Sequence, residues 1–271
     1  MAENTPERLY IRPYEPEDEK QVRFMVGQAQ MEHLAFANNR ATIHPLTLAI
    51  WIAASVASAQ LLGWWPQSAE AGWVDYFRVV PAFFACAVPI MFGFDWLHRP
   101  SVESRAERTL RNVDMVDIPA YYARSPSSGF FILQYGDKLI GLVGIDASTN
   151  AIIDKPVAKD AKFTVEESTQ LLHGKGTSKV ATIRHFFTEE AYRSTGIEED
   201  LLRHATGCAF KDKTVQTLRI SVSPFKRTLL EELGKAGFVS GEPDGKLGPF
   251  GWQWQWYTLS RSRWETTPNT S

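Results

Sequence analysis

Arg193-Ser194-Thr195-Gly196-Ile197 is the stretch of this chain whose residue types and order best suit a chemical task. It falls between a β-rich run, Val180 to Thr188, and a run with helical spacing, Ile197 to Phe210. At such a junction the N–H groups of the first helical turn lack intrahelical partners and point outward at the positive end of the helix dipole. With an arginine beside them they form a seat for an anion, phosphate above all. The same residues also fit an ordinary strand-to-helix turn, and R-x-x-G taken alone does not separate the two. His185, in the preceding strand, is a second candidate, because a neutral imidazole can take a proton from an amine near neutral pH. Its plainer role is a strand histidine satisfied by a backbone carbonyl. Glu189 and Glu190 have the chemistry of a base, but a solvated pair ahead of a turn is the simpler account. His173 and His204 have no partners at ligand spacing. The two cysteines, Cys86 and Cys208, offer neither a disulfide framework nor metal-ligand spacing, so no metal is expected.

The elements that must position these groups read as one α/β domain. Arg8 to Pro13 alternates like a short strand, and Glu15 to Glu19 supplies an acidic helix start. Val22, Met25, Val26 and Ala29 then recur at spacings of three and four. Val113 to Ala123 reads as another helix. Phe130–Tyr135 and Leu139–Asp146 flank the turn dipeptide Gly136-Asp137, which predicts a hairpin. Ser148 to Ser178 has little periodicity and reads as a flexible insertion, with a short helix near Val165–Leu172. Val215–Val222 reads as a strand, Phe225–Ala236 as a helix, Trp252–Leu259 as a terminal strand and Ser260–Ser271 as a tail. WQWQW alternates strictly, so one face of the last strand is three tryptophans wide, which is either packed core or a surface for a partner.

Two apolar stretches interrupt this domain. Pro45 to Pro66 (PLTLAIWIAASVASAQLLGWWP) holds no Asp, Glu, Lys or Arg and is long enough to cross a bilayer as a helix. Its many small residues would let a neighbouring helix approach closely. Val79 to Phe94, between Arg78 and Asp95, would span only about 24 Å as a helix. That is short for a core of about 30 Å, and with Pro81 and Pro89 inside, it reads as kinked, re-entrant or helped by flanking residues. Trp51, Trp64, Trp65, Trp73 and Trp96 lie in or beside the two stretches, as in an interfacial belt. The other reading is a buried helix pair in a soluble core; the first run's length and its terminal tryptophans weigh against it. Arg40 and His44 precede the hairpin and His98, Arg99, Arg105, Arg108 and Arg111 follow it, whereas the loop between has Glu70 and Asp75 against Arg78. The positive-inside rule then puts both ends, and the main domain, in the cytosol. MAENTPERLY lacks the apolar core of a cleavable signal peptide. The net charge of −2, without a basic face, argues against a nucleic-acid partner.

The order of elements and the segments IRPYEPEDEKQV, AERTLRNVDMVDIPAYY, FFILQYGDKLIGLVG, RHFFTEEAYRSTGI and LGKAGF together resemble the GNAT superfamily of acyl-CoA-dependent N-acyltransferases. More narrowly, the chain is similar to the N-acetyltransferase 8-like (camello) branch, whose members carry an apolar hairpin after the first helix. The resemblance covers about residues 9–259, apart from Ser148–Ser178. It implies an α+β fold with a mixed, mainly antiparallel sheet flanked by helices and an inserted two-helix transmembrane hairpin. The implied divisions are 1–43, the hairpin at 44–98, the rest of the domain at 99–259 and a tail at 260–271. It further implies acetyl-CoA as co-substrate, with its pyrophosphate on a Gln/Arg-x-x-Gly-x-Gly/Ala loop that Arg193 and Gly196 match. Phe187, Thr188, Ser194, Thr195 and Ile197 would complete the cofactor contacts, and backbone N–H groups of Phe186–Thr188 would polarise the thioester. His185 would be the base toward an amine acceptor, either a small cysteine conjugate or a protein lysine. The implied location is the endoplasmic reticulum membrane.

Two residues depart from the pattern. Glu198 stands where the loop has Gly or Ala, followed by Glu199 and Asp200, and carboxylates there would repel a pyrophosphate. Leu233 stands where the family usually has a tyrosine that protonates the leaving thiolate. The expectation is therefore a membrane-anchored N-acetyltransferase whose site has partly degenerated. The alternative is a non-catalytic GNAT-like assembly or escort factor for other membrane proteins. Two short helices without intramembrane charge offer no ion path, against a transporter or channel.

Overall fold

In the computed structural model the strand expected at Arg8–Pro13 forms as β1 (Leu9–Pro13), and the acidic start leads through a 3-10 turn into α1 (Glu19–Thr42). Residues 8–66, 72–152, 157, 172, 175–247 and 250–266 are described; most of the Ser148–Ser178 insertion, with nearly all of its expected helix, lies outside them. Then follow α2 (Pro45–Leu61), α3 (Val80–Leu110), α4 (Ile118–Tyr122), the hairpin strands β2 (Gly129–Tyr135) and β3 (Lys138–Ser148), and β4 (Thr177–Thr188). The chain continues with α5 (Ile197–Ala209), β5 (Thr217–Val222), α6 (Arg227–Lys235), β6 (Val239–Leu247), β7 (Trp252–Ser260) and α7 (Arg261–Thr266). It divides into two units, one of Met1–Met31, Ser104–Lys246 and Gln253–Ser271, the other of Glu32–Glu103 with Leu247–Trp252.

The seven strands of the sheet run in the order β1-β2-β3-β4-β5-β7-β6. β1–β2, β2–β3, β3–β4 and β5–β7 are antiparallel, and β4–β5 is parallel. This is the mixed, mainly antiparallel sheet that the resemblance implied. In the first unit the helical spacing of Val22, Met25, Val26 and Ala29 places them in one apolar cluster with Met115, Tyr121, Tyr122, Ile132 and Leu142. A second cluster joins the sheet residues Val143, Ile183, Leu218 and Ile220 to Leu201, Leu202 and Ala205 of α5 and Leu229 and Leu233 of α6. Burying each such leucine contributes about 1.5–3 kcal/mol.

The parallel pair is short, with register partners running only from Val180↔Thr217 to Ile183↔Ile220. Beyond Ile183, β4 keeps its pairing to β3 as far as Thr188↔Gly141, while β5 keeps its pairing to β7. The two strands thus part, and their diverging ends open a cleft.

Three elements differ from the sequence reading. Val113–Ala123 is not one helix but a 3-10 turn (Val113–Met115) and the short α4, because Asp117 caps a new start by accepting from Ala120 N at 3.0 Å, ahead of Pro119. β6 escapes pattern reading altogether: VSGEPDGKL has two glycines and a proline, and it lies at the end of the strand order where proline is tolerated. The expected tail folds as α7. Trp264 stacks on Phe210 at 5.0 Å between ring centroids, and Arg261 donates to the carbonyls of Phe210 and Val215.

In the second unit, Pro45–Leu61 is helical as expected, but the second apolar stretch does not end as a 16-residue piece. α3 runs on for 31 residues with Pro89 and Pro100 inside. The i,i+4 pairs Arg99–Asp95 and Arg99–Glu103 carry the helix past its apolar part. Tyr76–Leu110 is long and apolar enough to cross a membrane, with a mean hydropathy of 1.8 over a stretch that is 11% buried. Pro16–Thr42 and Pro45–Leu61 meet the same condition only as a pair, bent by 59°. Trp51 Nε1 donates to the Phe83 carbonyl at 2.8 Å, joining α2 to α3.

Leu201, fully buried in the second cluster, tests the core. Leu201→Ala is expected to lower unfolding free energy by about 2–5 kcal/mol, read by chemical denaturation followed by tryptophan fluorescence.

Candidate active site

Where β4 leaves β5, a cavity of about 280 Å³ opens in the first unit. Its lining includes Asp114, Arg184, His185, Arg219, Trp254 and Trp256. Thr182 and Arg219 are register partners, as are Ser221 and Trp256, so β4, β5 and β7 each supply part of the wall.

His185 is buried on β4, opposite Gly144 of β3. Its Nε2 lies 2.7 Å from Oδ2 of Asp114, which has no exposure at all. Tyr122 donates its hydroxyl to the same oxygen at 3.0 Å. Burial alone would raise the pKa of Asp114, but the charge and hydrogen bond of His185, the charge of Arg184 and the Tyr122 hydroxyl together hold it below the usual carboxylate range. An ionised Asp114 only accepts, so Nε2 is assigned the proton. In the neutral ring this leaves Nδ1 as the basic nitrogen. The glycine at 144 is sterically required, since a Cβ there would lie 2.7 Å from the Tyr122 hydroxyl oxygen and 3.0 Å from the Phe130 ring.

A second buried acid stands beside this pair. Asp146 accepts from Tyr121 and from Arg184 Nε, each at 2.9 Å, and from the Ser148 amide and hydroxyl. Burial opposes the charge on Arg184, yet Asp114, Tyr121 and Asp146 together raise its pKa. The far wall is aromatic and cationic. Arg105 sits 3.9 Å over the Trp254 ring and pairs with Asp244, while Arg219 sits 4.2 Å over Trp256 and donates to Thr182. The tryptophan face thus supplies cavity wall at Trp254 and Trp256. Trp252, in the other unit, stacks on Phe250 there.

The loop expected to seat an anion lies between β4 and α5. Gly196 caps α5 with φ +83°, a left-handed conformation in which glycine is unstrained. Ser194 and Thr195 are exposed, and Thr195 donates to the Tyr192 carbonyl. Ile197 and Phe187 point into the core instead of the cleft. Arg193 is turned back, its Nε and one terminal nitrogen donating to the Thr188 carbonyl at 3.0 and 2.8 Å. Thr188 in turn donates its hydroxyl at 2.7 Å to Glu198, whose carboxylate is buried and 4.0 Å from Arg193 Nε. Leu233 has no exposure and belongs to the core, so no proton donor stands at that position.

The sequence reading found His185 but missed Asp114, Tyr121, Tyr122, Arg184 and Asp146. A signal was present: Asp114 and Asp146 each interrupt an otherwise apolar run, VDMV and LVGIDA. An acid in such a run is either exposed or paired, and only the fold identifies the partner.

The ionised Asp114 stabilises the fold fully above the unfolded value near 3.8, and that contribution is lost as the pH falls through its lower folded value. Asp114→Asn is therefore expected to lower stability at neutral pH by about 1–3 kcal/mol. Denaturation profiles from pH 3 to 7 should show the gap to the native protein closing below pH 3.8.

No family model matches the chain. N-acetyltransferase 8 of Rattus norvegicus is 23% identical over 198 residues, covering 72% of this chain and 80% of that protein. Among solved structures, a GNAT-family acetyltransferase of Staphylococcus aureus Mu50 aligns with a TM-score of 0.45 and 9% identity, covering 93% of this chain and 99% of that one. Spermidine N-acetyltransferase of Vibrio cholerae, in complex with CoA and spermine, aligns with a TM-score of 0.43 and 10% identity over 95% and 98%. Over most of its length the chain is thus similar to N-acetyltransferase 8.

Proposed function

We propose that this chain is a membrane-anchored N-acetyltransferase that moves acetyl from acetyl-CoA to an amine. The observation that carries the reading is the His185–Asp114 pair lining the cavity at the parting of β4 and β5. Asp114 fixes the ring, and His185 takes the proton that the amine sheds as it attacks the thioester carbonyl. Two further features suit an amine. Asp114 Oδ1 and Gln30 Oε1 belong to residues that line the cavity, and both are buried acceptors without hydrogen-bond partners among the described residues. A donor entering there, such as an amine N–H, would relieve their desolvation. The thioester oxygen would lie along the edge of β4 that β5 has left, facing backbone N–H groups near Phe186–Thr188. The thiolate would leave without help from Leu233 and take its proton from solvent.

The anchor reading rests on the second unit. Leu46, Ile50, Ile52, Phe84, Val88, Phe92 and Trp96 are all about half exposed or more, whereas the buried positions include Thr47, Ser55, Ala59 and Ala82. That inverts the usual arrangement in water and suits lipid. With the charge asymmetry of the flanks, it supports an endoplasmic reticulum membrane location with the main domain facing the cytosol. One set of residues favours the second reading, a non-catalytic escort factor for membrane proteins: Glu198 is buried against the Thr188 hydroxyl at the start of α5, and Leu233 is sealed in the core.

Detergent-purified protein assayed with millimolar labelled acetyl-CoA and a panel of small amines and lysine peptides tests the first reading. Transfer is expected, with His185→Ala reducing it about 10²–10⁴-fold while CoA affinity is kept. An equal rate in that variant, or no transfer to any amine, would remove it in favour of the escort role. Expressed in cells, the chain is expected to stay in the membrane pellet after alkaline carbonate extraction, and release into the supernatant would refute the anchor.

A further inference from the structure

We propose that Tyr122 is a positioning residue for the base: its hydroxyl shares one oxygen of Asp114 with His185 and so sets how firmly that carboxylate holds the imidazole. The proposal rests on the reading of His185 as the group that takes the amine's proton, and it adds the residue that tunes that group.

Asp114 is served unevenly. Its Oδ2 accepts from the Tyr122 hydroxyl at 3.0 Å and from His185 Nε2 at 2.7 Å. Its Oδ1 is buried and has no hydrogen-bond partner among the described residues. A carboxylate can take donors on both oxygens, so two donors on one oxygen compete for the same charge. A donor that stabilises the carboxylate also weakens its pull on any further proton donor. The hydroxyl thus moderates the grip of Asp114 on the ring.

Its surroundings fix Tyr122 in that role. The side chain is buried, and burial together with the charge of Asp114 pushes its pKa well above the usual phenol value, so it remains a donor. Its ring meets Phe130 edge-on at 5.3 Å between centroids, and Phe130 lies 6.0 Å from the His185 ring. Gly144, the register partner of His185, leaves the space that the hydroxyl fills. Tyr121 supplies an internal comparison. It belongs to the same short helix and is also buried, but it donates to Asp146 instead of Asp114.

Loss of the Tyr122 hydroxyl would leave Oδ2 to His185 alone, strengthen that bond and favour the imidazolium. Tyr122→Phe removes no charge. The ionisable groups around the ring all stay: Asp114 on the 3-10 turn, Tyr121 on α4, Asp146 on β3 and Arg184 on β4. Arg105 of α3, Arg219 of β5 and Asp244 of β6 line the same cavity and also stay. A change at the base then comes through the hydrogen bond.

The His185 Nε2 proton is read by NMR on the full chain in detergent with isotope-labelled histidine, and its signal is assigned by its loss in His185→Gln. In Tyr122→Phe that proton is expected to move downfield, while in Tyr121→Phe it stays in place. Gly144→Ala, whose Cβ would stand 2.7 Å from the hydroxyl oxygen and displace it, should move the proton the same way and stands in if the phenylalanine variant does not fold. In the transfer assay, the rise of rate with pH should move up by about half a pH unit in Tyr122→Phe, a loss of about threefold below the rise and none above it. A native protein without an Nε2 proton on His185, an unmoved or upfield proton in Tyr122→Phe, an equal shift in Tyr121→Phe, or a pH profile that stays put while transfer proceeds would overturn the proposal. Acetylation with proton and profile both unmoved would reject the role of Tyr122 and leave acetyl transfer standing. A downfield shift without acetylation of any amine would support Tyr122 and count against transfer.

Discussion

Two carboxylates with no exposure, Asp114 and Asp146, set the terms for the site half of the first unit. Removing an ionised carboxylate from water costs several kcal/mol unless the charge is met by well-placed partners. Here consecutive residues on two elements divide the work. Tyr121 donates to Asp146 and Tyr122 to Asp114, while Arg184 serves Asp146 and His185 serves Asp114. Successive strand residues ordinarily face opposite sides of a sheet. The register shift between Gly144 and Ile145, in the β3–β4 pairing, is the irregularity beside Arg184 and His185, of the kind that re-aims side chains. The short α4 is thereby tied to β3 by the Tyr121 hydroxyl and, by way of Asp114 and His185, to β4 by the Tyr122 hydroxyl, for which Gly144 keeps room. None of these groups is replaceable singly without leaving a buried charge short of a partner.

The cleft and the anion loop make different statements about the same chemistry. The cleft has what an amine-directed acyl transfer asks of a protein: an oriented imidazole, a strand edge freed by divergence, and walls of Trp254 and Trp256 backed by stacked arginines. The loop between β4 and α5 is turned on itself instead: Arg193 donates back to the Thr188 carbonyl, and Glu198 turns inward to the Thr188 hydroxyl.

Legibility in the sequence followed periodicity. α1, α5, the β2–β3 hairpin and β4 were readable because their apolar positions repeat at three-four or two-residue intervals and their ends carry punctuation, as at Gly136 and Gly196. β6 was not, because its residues neither alternate nor bury, and its place follows from β7 beside it. α7 was not, since its anchors are one tryptophan on Phe210 and one arginine on distant carbonyls. The second apolar stretch ends at Phe94 but its helix does not, because hydropathy marks where apolar residues stop, whereas helix continues wherever i,i+4 pairs support it. At the site, His185 and the loop were visible as motifs. The direction of Glu198 was not, since a first-turn acid reads equally well as a solvated one, and only Thr188 and Arg193 draw it inward.

The inversion of the second unit bears on how the first works. Small and polar residues, Ala37, Ala41, Thr47 and Ser55, occupy its buried positions, and Asn38 donates to Asp95 and bonds His98 through its two amide atoms. Apolar side chains as large as Phe92 and Trp96 face outward. Water would penalise such a surface, and under the proposed anchor a lipid surround and close approach of small residues would stabilise it. α1 and α3 each run through both units: α1 supplies Gln30 to the cavity before continuing into the second unit, and α3 leaves the second unit before supplying Arg105 and Thr109. Under the proposed anchor, part of the cavity wall is built on α3, whose earlier, apolar part that reading assigns to the bilayer. The acceptors sampled there are then those that reach a site tethered at the membrane surface, and the cationic, tryptophan-rich wall has to be understood in that setting.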